Sequence, residues 1–342
     1  MSRGRKPGPA QLAGIASLLI LLIACSVRSQ TVQCGELQRL VKETYNFKPA
    51  KLSEAEQTVK SNGLDRVWNL VKANRSELLP CLRAALADPN ADGFFHFDGS
   101  NLLVSLDPSR DSKTILIHSY ALVDLNDVDL RVWVTQLASL GVEGFDVSEP
   151  ADKWLRYPGA RYYLPEHGAY EVTADNGAMF LYGSMDEAQA TPALMKIVSD
   201  KSHPGREIGL WALMNQATPE SLQALKQINA AEFSRKAQSS LKALLTRPQL
   251  FQPRAKPKTN RQEFVTAFER LLAGDSGPFL ELVSAVPDGE KDVVAVLKPE
   301  DMALVRKVRR RIIAGGNQHS IEFYNSFTKI LMTLVWKPGL VQ

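Results

Sequence analysis

The sequence predicts an all-α fold: a right-handed stack of helical hairpins, with a small β-prone insertion and a C-terminal helical cap. Three observations carry that prediction. A helix-pair pattern occurs twice between Ala190 and Leu245, opening on Ala190-Thr191-Pro192 and again, 27 positions later, on Ala217-Thr218-Pro219. Apolar residues recur at helical spacing through most of the chain, while strand-like alternation is sparse. With 342 residues, 44% hydrophobic and 23% charged, the chain has an ordinary globular composition, which excludes wholesale disorder and allows a large core in one or two domains.

In each copy the Thr can accept a backbone N–H bond at the open end of a helix. The Pro after it then occupies the first helical position, where its missing N–H costs nothing. Apolar stripes follow at Leu194, Ile197 and Val198, and at Leu222, Leu225 and Ile228. A polar corner comes next, with Asp200 six residues before Arg206 and Asn229 six before Arg235. Second helices are expected over Arg206–Met214 and Arg235–Leu244. This pattern resembles the HEAT family of α-solenoids, in which an Asp at the turn and an Arg opening the second helix recur. Asn229 departs from it, and both units are shorter than the usual period of about 40 residues. The resemblance implies stacked pairs whose second helices line a concave groove that holds an extended partner, an envelope protein or peptide. Trp211, Met214 and Gln238 are the candidate groove residues. Two adjacent hairpins in an irregular all-α domain are the plainer reading.

The first 24 residues read as a signal peptide: Arg3, Arg5 and Lys6 precede a short apolar run, Leu12 to Ala24, too short for a comfortable membrane span. Leu22-Ile23-Ala24-Cys25 resembles the lipobox of bacterial lipoproteins, which implies lipidation of Cys25 and a tether to a membrane surface. Val27-Arg28-Ser29 offers plain secretion instead, and a retained anchor is a third option. The expected location is extracytoplasmic, in the periplasm or cell envelope. Without the signal the net charge falls from +4 to +1, so the basicity is mostly a targeting feature and nucleic acid is disfavoured as a partner. Cys34 and Cys81 then remain as a plausible disulfide in an oxidising compartment, with two buried free thiols as the alternative.

Residues 25–246 are read as the helical repeat domain. Helices are expected over Gln33–Phe47, Glu54–Lys60, Leu64–Asn74 and Ser76–Ala87, the second opened by the capping box Ser53-Glu54-Ala55-Glu56. A turn-rich stretch, Asp88 to Ser100, surrounds Phe94-Phe95-His96-Phe97. Helices resume at Asn101–Leu106, Ser112–Val123, Val128–Leu140 and Ser148–Trp154. The insertion near 156–173 pairs two β-prone segments around Pro165-Glu166-His167-Gly168. Residues 247–261 form a basic, Pro-rich linker. The C-terminal region, 262–342, holds helices at Gln262–Leu272, Pro278–Val286, Pro299–Ile313 and Gln318–Trp336.

Chemistry-bearing motifs are few. Asp88 to Gly93 matches the first half of a calcium loop, but the twelfth position is Gly99 where a bidentate Glu is needed, so a turn is the better explanation. No His or Cys spacing suits zinc, and no nucleophile elbow or phosphate-cradling loop is present. No catalytic residue, metal or cofactor is therefore expected. Tyr163 and His167 in the irregular insertion are candidate binding residues, since function gathers in such loops. Arg306, Lys307, Arg309, Arg310 and Arg311 form a basic patch that either meets an anionic partner or is a solvated helix face.

The leading expectation is an exported, possibly lipid-anchored, helical-repeat scaffold or protein-binding module. The alternative is a cell-envelope hydrolase with paired carboxylates in a helical cleft, for which Glu166, Glu171 and Asp175 are the candidate acids.

Overall fold

Helix-on-helix packing satisfies the apolar stripes of this chain. The computed structural model describes residues 34–44, 54–91, 93–122, 130–156, 161–162, 172–246, 253, 255–285, 289–314 and 318–335. The fold is all-α. The chain divides into two compact units, Met1–Asp127 and Val128–Gln342. The expected boundary was the Pro-rich stretch at 247–261, yet helices on both sides of it belong to the second unit. Residues 1–33 lie outside the described residues, so the expected signal peptide and Cys25 do too. No helix among the described residues is long and apolar enough to cross a membrane.

The first unit contains α1 (34–44), α2 (Glu54–Ala73), α3 (Arg75–Leu86), α4 (Gly93–Leu106) and α5 (Arg110–Leu122). Its core joins Leu37 and Leu40 of α1, Val67 and Val71 of α2, Leu78, Leu82 and Leu86 of α3, and Phe95, Leu102 and Leu103 of α4. Two expectations are corrected here. Glu54–Ala73 is one helix rather than two, because helical spacing continues through Leu64, Val67 and Val71 and outweighs the single Gly63. The aromatic run after Asp88 is the first turn and a half of α4, where Phe95 and His96 are buried, and not a turn. Gly99 therefore lies within α4, and the calcium-loop pattern cannot close around an ion. The turn before it is an Asx turn, with Asp88 Oδ1 accepting from Asn90 N at 2.9 Å.

Asp107 closes the corner between α4 and α5. It accepts from the hydroxyls of Ser112 at 2.9 Å and Ser109 at 3.0 Å, and it pairs with Arg83 of α3. The Ser112 hydroxyl is the main reason its carboxyl sits below the usual range.

Cys34 and Cys81 stand at disulfide distance, with Cα atoms 5.5 Å apart and a sequence separation of 47, tying α1 to α3. Cross-linking a loop of that length stabilises by about 4 kcal/mol in the chain-entropy model. Reduction, or Cys34→Ser with Cys81→Ser, is expected to lower the melting temperature of the first unit. An unchanged transition under dithiothreitol in differential scanning calorimetry would show that the thiols are free.

The second unit contains α6 (Leu130–Val142), α7 (Ser148–Leu155), α8 (Ala174–Ser184), α9 (Glu187–Ser199), α10 (Arg206–Gln216), α11 (Pro219–Lys226) and α12 (Arg235–Thr246). It continues through α13 (Arg261–Leu272), α14 (Gly277–Ala285), α15 (Gly289–Val296), α16 (Met302–Ile313) and α17 (Gln318–Val335). Short 3-10 turns, η1 (Ala230–Glu232) and η2 (Pro299–Asp301), precede α12 and α16. The β-prone insertion is a two-residue ladder, β1 (Arg161–Tyr162) antiparallel to β2 (Val172–Thr173), with Arg161 opposite Thr173. Helix α8 lies against α6, α7, α10 and α16. Its approach to α17 requires Gly183, where a Cβ would fall on the Tyr324 hydroxyl.

The 247–261 stretch is anchored where it enters α13. Lys258 N donates to the buried Asp292 carboxylate at 2.8 Å. Arg261 grips Asp301 bidentately, Nε to Oδ2 at 2.8 Å and a terminal nitrogen to Oδ1 at 2.5 Å. Burial pushes the Asp301 carboxyl up, and Arg261 together with the Lys298 N–H outweighs it and holds the group low.

The basic patch is largely dissolved by the fold. Arg309 is fully buried, and its guanidinium donates to the carbonyls of Asn215 at 2.7 Å and Gln216 at 3.0 Å and to Thr328 Oγ1 at 3.3 Å. It also lies 5.3 Å from the ring centre of Tyr324. Those two carbonyls end α10, so a cation meets the negative end of a helix and fills acceptors the helix leaves open. Arg310 turns to Asp186 at 3.3 Å and Glu187 at 3.9 Å. Arg306 is half-buried, and Lys307 and Arg311 alone of the five are exposed. Spacing on a helix of 3.6 residues per turn cannot keep five near-consecutive cations on one face. Arg309→Met is expected to lower unfolding free energy by about 3 kcal/mol, since charged hydrogen bonds are lost and carbonyls stay buried. Urea denaturation checks it; a shift under 0.5 kcal/mol would mean that water replaces the guanidinium.

Candidate functional site

The two repeat copies lie side by side, with α10 as the common neighbour of α9, α11 and α12. Leu194, Ile197 and Val198 of α9, Leu210 and Leu213 of α10, Leu222 and Leu225 of α11, and Ala237, Leu241 and Leu244 of α12 are buried, as their spacing predicts. Thr218 caps α11 in a capping box with Ser221, and Pro219 opens the helix. The first copy differs. α9 begins at Glu187, one turn before the expected start, because Asp186 accepts from Ala188 N at 3.0 Å and is the better cap. Pro192 then sits inside the helix, and Thr191 is buried instead of capping.

The two polar corners are built alike. Asp200 Oδ1 accepts from Ser202 N at 2.9 Å, and Asn229 Oδ1 accepts from Ala231 N at 3.2 Å, so both form Asx turns and an amide can replace the carboxylate. Between the corners runs an ionic ladder. Arg206 donates to its own copy at Val198 O, 2.6 Å, and to the next copy at Glu232, 2.6 Å, while its guanidinium covers the Phe233 ring at 4.4 Å. Lys201 reaches Glu232 at 2.9 Å, and Glu207 accepts from the Ser234 hydroxyl at 2.7 Å. The bond from Lys201 and then that from Arg206 hold the Glu232 carboxyl below its ordinary range. The Ser202 hydroxyl does the same for Asp200.

The second helices carry the candidate groove residues to different places. Trp211 of α10 is half-buried, with Lys236 Nζ of α12 at 5.9 Å from the ring centre. Gln238 is half-buried and donates to Phe233 O at 2.8 Å. Met214 is in the core at 3% exposure and offers nothing to a partner. Tyr163, Glu166, His167 and Glu171 lie outside the described residues; Asp175 is in α8, but its side chain lies outside them as well.

Sequence reasoning missed a cleft of about 240 Å³ between α7, α8 and α9, lined by Glu149, Asp152, Arg156, Tyr182, Lys196 and His203 among others. His203 Nδ1 accepts from Gly205 N at 3.1 Å, so the proton is on Nε2, which donates to Asp152 Oδ1 at 2.9 Å. The other Asp152 oxygen takes Arg156 Nε at 2.9 Å. Both ring nitrogens are committed to the fold, so this His–Asp pair has no lone pair left with which to activate a nucleophile. The partners' sequence separation of 51 leaves no local signal. Burial raises the pKa of Tyr182, keeping its hydroxyl neutral on the cleft wall. No group of three His, Cys, Asp or Glu side chains among the described residues is placed to hold a metal ion.

Carboxylates with lowered pKa add stability that is complete above the unfolded-state value and is lost as pH falls through the folded value. Acid titration from pH 6 to pH 3 is expected to lower the urea midpoint. Glu232→Gln is expected to lower it near neutral pH and to flatten this dependence. An unaltered slope in that variant would show that the ladder adds nothing.

Comparison with protein families, characterised proteins and solved structures finds no match to this chain.

Proposed function

We propose that this chain is an exported, HEAT-like helical scaffold that holds a protein or peptide of the cell envelope along the α10–α12 face, with Cys25 as its lipid anchor. One observation supports it above the others: Trp211 and Lys236 stand together, from successive second helices, at a surface where an aromatic ring and a cation remain accessible. Large aromatic side chains of this kind carry a major share of binding energy at interfaces. The ionic ladder at the corners fixes the spacing of the copies, so the face is formed before a partner arrives and little ordering remains to oppose binding. The envelope-hydrolase alternative rests on acids in and after the β insertion, and the committed His203–Asp152 pair gives it no support.

The test is affinity capture of the mature protein from its own envelope, repeated with Trp211→Ala and Lys236→Ala together. A reproducible partner, with recovery reduced about tenfold in the double variant, is the expected outcome. Turnover of an envelope polymer by the purified protein, with no partner recovered, would replace the scaffold by the hydrolase.

A further inference from the structure

Helices α13 and α14 pack as a hairpin and leave a groove of about 530 Å³ that plays no part in the repeat or in the polar cleft. Its lining contains the half-buried Pro278 and Leu282 over the buried Ala267, Thr266 and Gln262 beside them, and two carboxylates, Glu263 and Glu281, with no cation among the described residues. Next to Pro278 on the same helix, Phe279 turns inward to the ring cluster of Phe268 and Phe327. Leu280 faces the other way and is 49% exposed, one of three large hydrophobic side chains so exposed among the described residues. The groove is thus an open, partly apolar surface bordered by charge of one sign.

The charge is fixed in place. Glu263 is the third residue of α13 and closes a capping box with Asn260: Asn260 Oδ1 accepts from Glu263 N at 3.0 Å, and Glu263 Oε2 accepts from Asn260 N at 3.3 Å and from the Thr259 hydroxyl. Those bonds, Thr259 first, hold its carboxyl below the ordinary range, so it stays ionised through mild acid. Glu281 is exposed on α14. Of the cations nearby in sequence, Arg261 is engaged with Asp301 and Arg270 with Asp275, while Lys258 is exposed.

We propose that the α13–α14 groove is a docking site for a short cationic amphipathic peptide segment, one whose apolar side chain enters over Ala267 and Leu282 while flanking Lys or Arg side chains meet Glu263 and Glu281. Charge complementarity selects this occupant: the apolar floor demands a hydrophobic anchor, and two carboxylates without a counter-cation demand positive charge around it. An acidic segment meets like charge, and a purely basic one leaves the floor wet. The site stands apart from the α10–α12 face, so it does not rest on the scaffold reading.

The experiment is fluorescence anisotropy of the whole mature chain with a labelled peptide of sequence Gly-Lys-Leu-Lys-Leu-Lys-Gly. The controls are the same peptide with Glu for Lys and with Gly for Leu. The expected result is saturable binding of the first peptide, at least tenfold weaker binding of both controls, and about tenfold loss in Glu281→Lys. Because Glu281 is exposed, that variant should keep the parent's circular dichroism and melting temperature; Glu281→Gln, with a smaller loss, serves if it does not. Equal binding of all three peptides, no binding, or no change in the Glu281 variants would overturn the proposal. Loss of peptide binding in the Trp211→Ala, Lys236→Ala variant but not in Glu281→Lys would place the peptide on the other face and overturn it equally.

Discussion

The arrangement of the second unit depends on one buried cation. Arg309 comes from a helix near the end of the chain and finishes a helix 93 or 94 residues before it, taking up the carbonyls of Gln216 and Asn215. Removing a guanidinium from water is costly, and burial lowers its pKa against the opposing influence of Tyr324 and Glu187. The cost is offset because the C-terminus of α10 already concentrates partial negative charge and unfilled acceptors. Helices α16 and α17 are therefore not a lid added to a finished stack. They supply the bonds that α10 lacks, and α10 is the helix on which α9, α11 and α12 meet.

What the sequence reveals and what it hides follow the range of the interaction. Apolar stripes are local, and those of α9 to α12 are buried where their spacing puts them. Caps are local too, yet two candidates can compete: Asp186, a stronger capping residue with a charged acceptor, starts the helix upstream and leaves Thr191 inside it. The aromatic run Phe94 to Phe97 looks like a knot in a loop because its neighbours are Asp and Gly, and the burial of Phe95 against α1 to α3 draws it into helix. The basic cluster of α16 is the instructive case, since helical spacing spreads it over several faces without saying what each face meets. Composition gave five cations in six residues, and only tertiary partners decide that Arg309 faces the core, Arg310 faces two acids and Lys307 faces water. The His203–Asp152 pair is a product of distant segments meeting, with no sequence signature, whereas the α13–α14 groove lies between consecutive helices whose existence the apolar spacing predicts and whose packing it does not.

Charge in this protein is used in two ways. Much of it, at Asp107, Glu232, Asp301 and Asp152, is spent on corners and on the seams between helices, where each carboxylate accepts two or more bonds. A smaller set, Lys236 beside Trp211 and Glu281 beside the apolar groove, faces solvent next to a hydrophobic surface. The first kind is architecture, and the second is the kind that partners read.

Ala217 gives the repeat a further property. It ends α10 in the left-handed region, φ 53°, the one non-glycine residue with positive φ among the described residues, and it is fully buried. A side chain there costs about 1 kcal/mol or more relative to glycine. In exchange the methyl group narrows the angles through which α11 can leave α10. The direction in which α11 leaves α10 is thus narrowed at one buried dihedral pair, a constraint that the first Ala-Thr-Pro, lying inside α9, does not repeat.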